Sequence, residues 1–77
     1  MPVLARLKHC LIAMYFHDHN PPHFHVLGKD GREAEILIDG LEVRRNKLDR
    51  KALKEALDWA QANEAFLKET WDEFQDL

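Results

Sequence analysis

The sequence predicts an α+β fold: a three- or four-stranded antiparallel β-meander, packed on one face by a C-terminal helix that is bent or broken near residues 61–63. Three observations predict it. Apolar and polar residues alternate through the first half of the chain. In the second half, apolar residues recur at four- and three-residue spacing. The strand-like runs are joined by connections too short for the crossover that parallel strands need.

The elements follow in order. Cys10 to Asp18, CLIAMYFHD, is rich in strand formers. Asn20-Pro21-Pro22 ends it, because proline lacks the donor a ladder needs and pushes the preceding residue to extended geometry. His23 to Leu27 reads as a second strand, and Gly28-Lys29-Asp30-Gly31 as a turn. Arg32 to Asp39 alternates again, with Ala34, Ile36 and Ile38 on one face and Glu33, Glu35, Leu37 and Asp39 on the other. Gly40 turns the chain, and Leu41 to Arg45 is a short fourth strand. Asp49 can cap a helix starting at Arg50. Leu53, Leu57, Ala60, Leu67, Trp71 and Phe74 form its apolar face, interrupted only by Glu64. One straight helix from 50 to 76 would be about 40 Å long, too long for so small a sheet. A break at Gln61–Asn63, with Asn63 capping a second helix, lets both halves pack. Trp59 and Phe66 flank the stripe as core edge or partner surface.

At 77 residues the chain is read as a single domain, 1–77, with a folded surface of about 4,900 Å² and a thin core. The longest apolar stretch, Cys10 to Phe16, is far short of the ~20 residues of a membrane span. The N-terminus lacks the basic start and apolar run of a secretory signal. A single cysteine, Cys10, excludes an internal disulfide, so the expected compartment is the cytoplasm. The net charge of −3 is unevenly spread. Residues 1–54 carry ten basic and seven acidic side chains, and residues 55–77 carry one basic and seven acidic. Six of the basic residues crowd into 44–54, where they can hold phosphates or simply solvate a strand end and a helix start.

Four of the five histidines fall within nine residues: His17-Asp18-His19, then Asn20-Pro21-Pro22, then His23-Phe24-His25. Residues two apart on a strand share a face. Burying Met14 and Phe16 with Phe24 and Val26 sets Phe16 opposite Val26, His19 opposite His23 and His17 opposite His25. All four imidazoles then stand on the face away from the helix, while Asp18 alternates onto the other. Pro22 cannot be the left-handed residue that ends a three-residue hairpin loop, so the turn is wider than standard. Such a face can bind a divalent metal such as zinc through His17, His19, His23 and His25. It can also move protons during phosphodiester cleavage while basic residues hold the phosphate. The plain alternative is a polar surface or a hydrogen-bond network around the proline turn. His9 reads as ordinary surface, and the chain contains no Gly-rich phosphate loop, nucleophile elbow or zinc-finger spacing.

The run Met14-Tyr15-Phe16-His17-Asp18-His19-Asn20-Pro21-Pro22-His23-Phe24-His25-Val26 resembles the hallmark of a small bacterial family, the domain of unknown function 4160 family. The opening Met1-Pro2, Ala34 and Ile36, Leu48, Ala52-Leu53, Trp59-Ala60 and Leu67 through Trp71 fit the same layout. The resemblance implies no established activity. It does imply a neighbouring gene for a second small protein, in pairs that look like toxin–antitoxin modules. Asp18, His19, Pro21, Pro22, His23 and His25 match the family motif, while His17 departs from it. The resemblance thus favours a three-histidine set of His19, His23 and His25. Asp49 also departs, from a proline, which bears only on capping.

The expectation is a toxin-like or regulatory component that binds its cognate small protein. His19, His23 and His25 are its candidate catalytic or ligand site, and Arg44, Arg45, Lys47 and Arg50 guide a phosphate-bearing partner such as RNA. The rivals are a zinc-type metal-binding module without catalysis, and a non-enzymatic interaction domain whose hairpin edge and Trp71 helix dock on a partner. A homodimer is compatible with each.

Overall fold

The computed structural model describes residues 2–77. Met1, the first position of the family resemblance, lies outside the described residues. Five strands form one antiparallel sheet in sequence order: β1 (Val3–Arg6), β2 (Cys10–Ala13), β3 (His23–Gly28), β4 (Glu33–Leu37) and β5 (Val43–Asn46). Two helices follow, α1 (Arg50–Ala62) and α2 (Glu64–Asp76). The architecture is α+β as expected, with one strand more than the three or four predicted. The added strand is β1. It has only four residues and borders β2 at the sheet edge, with a register shift between Val3 and Ala5. So short a run carries no periodic signal.

One face of the sheet is buried under the helices. Cys10, Ile12, Phe24, Val26, Ala34 and Ile36 line it, continued by Met14 and Ile38 beyond the strand ends. The accessible surface is 4910 Å², the value expected for a folded chain of this size. From α1 the buried contacts are Ala52, Ala56 and Ala60, rather than the predicted Leu53 and Leu57, which are half-buried at the margin. A row of methyl side chains lets the helix backbone lie close to the sheet, and the leucines then cover its flank. From α2, Leu67 and Trp71 enter the core as predicted, with Thr70 beside them. The Thr70 hydroxyl donates to the Phe66 carbonyl, which satisfies it inside the helix.

Asp49 caps α1 as its position predicts: its backbone is extended and its carboxylate accepts from the Ala52 N–H at 2.8 Å. The predicted break falls at Asn63. Asn63 occupies the cap position of α2, but its side chain closes α1 instead, donating Nδ2–H to the Trp59 carbonyl at 2.7 Å. Trp59 and Phe66 meet edge to face across this break, with centroids 6.3 Å apart. No described helix is long and apolar enough to cross a membrane.

The first predicted strand is cut short. It runs only from Cys10 to Ala13, and the chain leaves the sheet at Met14. Ile12 pairs with Val26 and Ala13 with His25, so the register lies four residues from the predicted one. An even offset keeps the same faces together. It therefore preserves the burial of Phe24 and Val26 but releases residues 15–20 from the ladder. Phe16, predicted in the core, is about half exposed and rests against Phe74. The segment 14–22 folds across the sheet end, held by the His17 N–H donating to the Phe74 carbonyl. His17 has φ of 55°, and the Asn20–Pro21 bond is cis.

Candidate functional site

The freed loop returns over the sheet face opposite α1 and meets β3 there. His23 and His25, two residues apart on β3, share that face, and their rings lie 5.2 Å apart. Both side chains are nearly fully buried. Tyr15 from the loop packs edge-on against His25 at 4.5 Å, and Trp71 of α2 packs against His23 at 5.4 Å. Two imidazoles are thus enclosed by aromatic walls from two parts of the chain, the loop and α2.

Asp18 reaches into this enclosure. Its Oδ2 lies 3.0 Å from His23 Nε2 and 3.4 Å from His25 Nε2. Its Oδ1 accepts the His19 backbone N–H at 2.9 Å and lies 3.0 Å from His19 Nδ1. Burial opposes ionisation of Asp18, but these hydrogen bonds and the neighbouring imidazoles outweigh it and hold the carboxyl below the usual carboxylate range. Strict alternation had placed Asp18 on the wrong face; because the strand ends at Ala13, alternation no longer governs it.

The ring nitrogens have defined partners. His23 Nδ1 lies 2.8 Å from the Pro21 carbonyl, which can only accept, so Nδ1 carries the proton. In the neutral ring Nε2 is then a bare lone pair. It is buried beside Asp18 Oδ2 but not in hydrogen-bonding geometry with it, and it has no other partner. His25 Nδ1 is likewise buried without a hydrogen bond, and its nearest acidic group is Glu35 Oε1 at 3.9 Å. One ligand atom from each of Asp18, His23 and His25 falls within 4.8 Å of the other two. Tetrahedral bonds of 2.0–2.2 Å from nitrogen and oxygen to a zinc-type ion place neighbouring ligand atoms about 3.3–3.5 Å apart. The observed 3.0 and 3.4 Å lie close to that spacing.

The other sequence candidates are placed as follows. His19 joins the cluster from outside: its ring is 5.4 Å from that of His23, while its side chain is 83% exposed. His17 is exposed and takes no part in these contacts, so the structure does not bring four imidazoles together. Arg44, Arg45, Lys47 and Arg50 are all exposed, and among the described residues none is in an ion pair. Arg45 faces Glu35 across β4–β5, and Glu35 faces His25 across β3–β4. This row places Arg45 about 10 Å from His25 along the sheet. Arg44 falls at the register shift beside it, and Lys47 and Arg50 lie beyond the strand. A cavity of about 380 Å³, lined among others by Pro22, Ile38, Lys68 and Trp71, shares Trp71 with the cluster but contains none of the histidines.

Cys10 has no place in this chemistry. Burial and the neighbouring Glu55 carboxylate push its thiol up to about 12. Glu55 itself accepts the N–H groups of Lys8 and His9 at 3.1 and 2.8 Å and so ties the β1–β2 turn to α1.

A family model described as domain of unknown function (DUF4160) matches residues 10–72 of this chain. That span begins at β2, includes the loop, all the clustered histidines and Glu35, and ends just after Trp71. No match was found among curated proteins or among solved structures.

Proposed function

The chain belongs to the domain of unknown function 4160 family, and from that premise we propose that it binds a divalent transition-metal ion, zinc above all, through Asp18, His23 and His25. One observation carries the reading: two buried Nε2 atoms and one carboxylate oxygen converge at ligand spacing, and one of those nitrogens is a lone pair without a partner. A buried lone pair facing an anion is unfavourable, and a shared cation relieves it. Three protein ligands leave a fourth position for water or substrate, the arrangement of catalytic rather than structural zinc sites. His19, exposed and already against Asp18, is the candidate to fill or gate that position.

The test is a zinc titration of untagged protein against a chromogenic chelator. One ion per chain is expected, with affinity falling at least 100-fold in His23→Ala and His25→Ala. Uptake no greater than background, or uptake indifferent to both substitutions, removes the reading.

A second reading draws on Arg45, exposed in the same cross-strand row as His25. In it Arg44, Arg45, Lys47 and Arg50 hold the phosphates of RNA, and the Asp18–histidine cluster transfers protons. Equal RNA cleavage by wild type and His23→Ala would exclude it. The cognate small protein of a two-gene, toxin–antitoxin-like module is proposed on the family resemblance alone. Its test is co-purification with the neighbouring gene product and relief of growth arrest on co-expression.

A further inference from the structure

We infer that Glu35 is a positioning residue for the cluster: when a metal ion displaces the proton that His25 Nε2 gives to Asp18, the ring carries its proton on Nδ1 instead, and Glu35 accepts that hydrogen bond, which leaves the Nε2 lone pair to the ion. The inference rests on the metal reading of Asp18, His23 and His25 and names the group that tunes it.

The two rings present a parallel. Each turns Nε2 toward the same oxygen, Asp18 Oδ2. Each buries Nδ1 on its far side. For His23 that nitrogen has an acceptor, the Pro21 carbonyl at 2.8 Å. For His25 it has no hydrogen bond: Nε2 bonds Asp18 Oδ2 at 3.4 Å, and a carboxylate only accepts, so in the metal-free neutral ring the proton is on Nε2 and Nδ1 is bare, with Glu35 Oε1 3.9 Å away. A neutral imidazole carries one proton, and it can serve as a ligand through Nε2 only when that proton is on Nδ1. Pro21 makes this choice for His23. Glu35 is the group placed to make it for His25.

Sheet register fixes the placement. Glu35 is the direct cross-strand neighbour of His25, where Cβ atoms lie about 4.5–5.5 Å apart. Its side chain is 27% exposed, so its torsions are free enough to shorten the 3.9 Å separation by the ~1 Å that a hydrogen bond requires. Arg45 flanks Glu35 on the other side. Charge balance points the same way. A divalent ion held by the single anion of Asp18 leaves a net positive centre against aromatic walls, and the Glu35 carboxylate neutralises it.

The experiment has two arms. In metal-free protein, long-range proton–nitrogen correlation spectra report which ring nitrogen carries the proton. The wild type is expected to hold His25 as the Nε2–H form there, bonded to Asp18, and to move it to the Nδ1–H form once zinc is bound. In zinc-loaded Glu35→Ala that Nδ1–H loses its acceptor, so its proton signal moves upfield or exchanges with water, and His23 stays unchanged because its acceptor is a backbone carbonyl. In the second arm, zinc affinity falls about 10–100-fold in Glu35→Ala. Glu35→Gln, which keeps an oxygen acceptor, recovers most of that loss and stands in if the alanine variant fails to fold. A His25 tautomer unchanged by zinc, an Nδ1–H signal identical in Glu35→Ala, or zinc affinity of Glu35→Ala within twofold of wild type overturns the inference. If wild-type protein takes up no zinc, the metal reading fails and this inference with it; zinc uptake indifferent to Glu35 overturns the inference alone.

Discussion

Replacing Asp18 by asparagine removes the anion at the centre of the cluster with almost no change of shape. The amide oxygen can still accept the His19 N–H, now 2.9 Å from Oδ1. What is lost is the charge facing His23 Nε2 and His25 Nε2. Without metal, the charge-assisted bond from His25 Nε2 contributes at most about 1–2 kcal/mol net, because the same anion faces the bare His23 Nε2. For 77 residues the unfolding entropy is about 0.16 kcal/mol per kelvin. The metal-free variant therefore melts at most about 6–12 °C below wild type. With zinc the gap widens. An ion at 100 times its dissociation constant stabilises the folded state by about 2.7 kcal/mol, or about 17 °C at this chain length. Asparagine is a poor zinc ligand, so the variant forgoes nearly all of that gain. The assay is thermal unfolding by far-ultraviolet circular dichroism at several buffered free-zinc levels, with and without chelator. Parallel rises of Tm with zinc in wild type and Asp18→Asn would refute ligation by Asp18. A wild-type Tm indifferent to zinc would refute the site itself.

Other expectations follow from the packing. Glu55→Gln weakens the tie between α1 and the β1–β2 turn and costs about 1–2 kcal/mol at neutral pH. Burial raises the Glu55 carboxyl, but the N–H groups of His9 and Lys8 and the Cys10 thiol outweigh it and leave the folded value below the ordinary range. Its contribution is therefore complete above the unfolded value of about 4.3 and disappears as pH falls through the lower folded value. The Tm difference from wild type should stay constant from pH 8 to 6 and close in acid; a gap that widens in acid contradicts this sign. Cys10, with its thiol raised to about 12, should resist iodoacetamide in the native protein at pH 8 and react at an ordinary rate once unfolded. Mass spectrometry reads both, and prompt native labelling would show that the thiol is accessible. Phe24→Ala empties a fully buried aromatic position and costs about 3–5 kcal/mol. In so small a domain that suffices to leave a large unfolded fraction at 37 °C, and a Tm within 5 °C of wild type would count against the assigned core.

Much of the fold was legible because it depends on local signals. Alternation located Ala34, Ile36 and Ile38 in the core, and all three are buried. An aspartate before a helical stretch located the α1 cap, and the length of the apolar stripe required a break, which falls at Asn63. The histidine cluster was legible as a place but not as a geometry. Its true centre, Asp18, was hidden because a run of strand formers does not announce where the sheet stops; Met14 to Phe16 have strand propensity, yet only Met14 stays buried and none is in the ladder. The double proline was the available warning, since a tight hairpin could not contain it. Glu35 was within reach: it was assigned to the side of its strand away from the helix, and His25 to the same side of its own. Only the pairing of those two strands, a nonlocal fact, brings them opposite each other. Of the alanine stripe of α1 only Ala60 was read, while Ala52 and Ala56 were missed for a related reason, because leucines dominate any hydrophobicity pattern even where small residues make the contact.

Trp71 belongs to the last helix, yet its indole stacks within 5.4 Å of the His23 imidazole. An indole so near a ring is quenched according to that ring's protonation and occupancy. The protein thus carries its own optical gauge: loading of His23 should alter near-ultraviolet emission without any attached dye, and Trp71→Phe should silence the signal while Trp59, on the far helix, supplies a steady background.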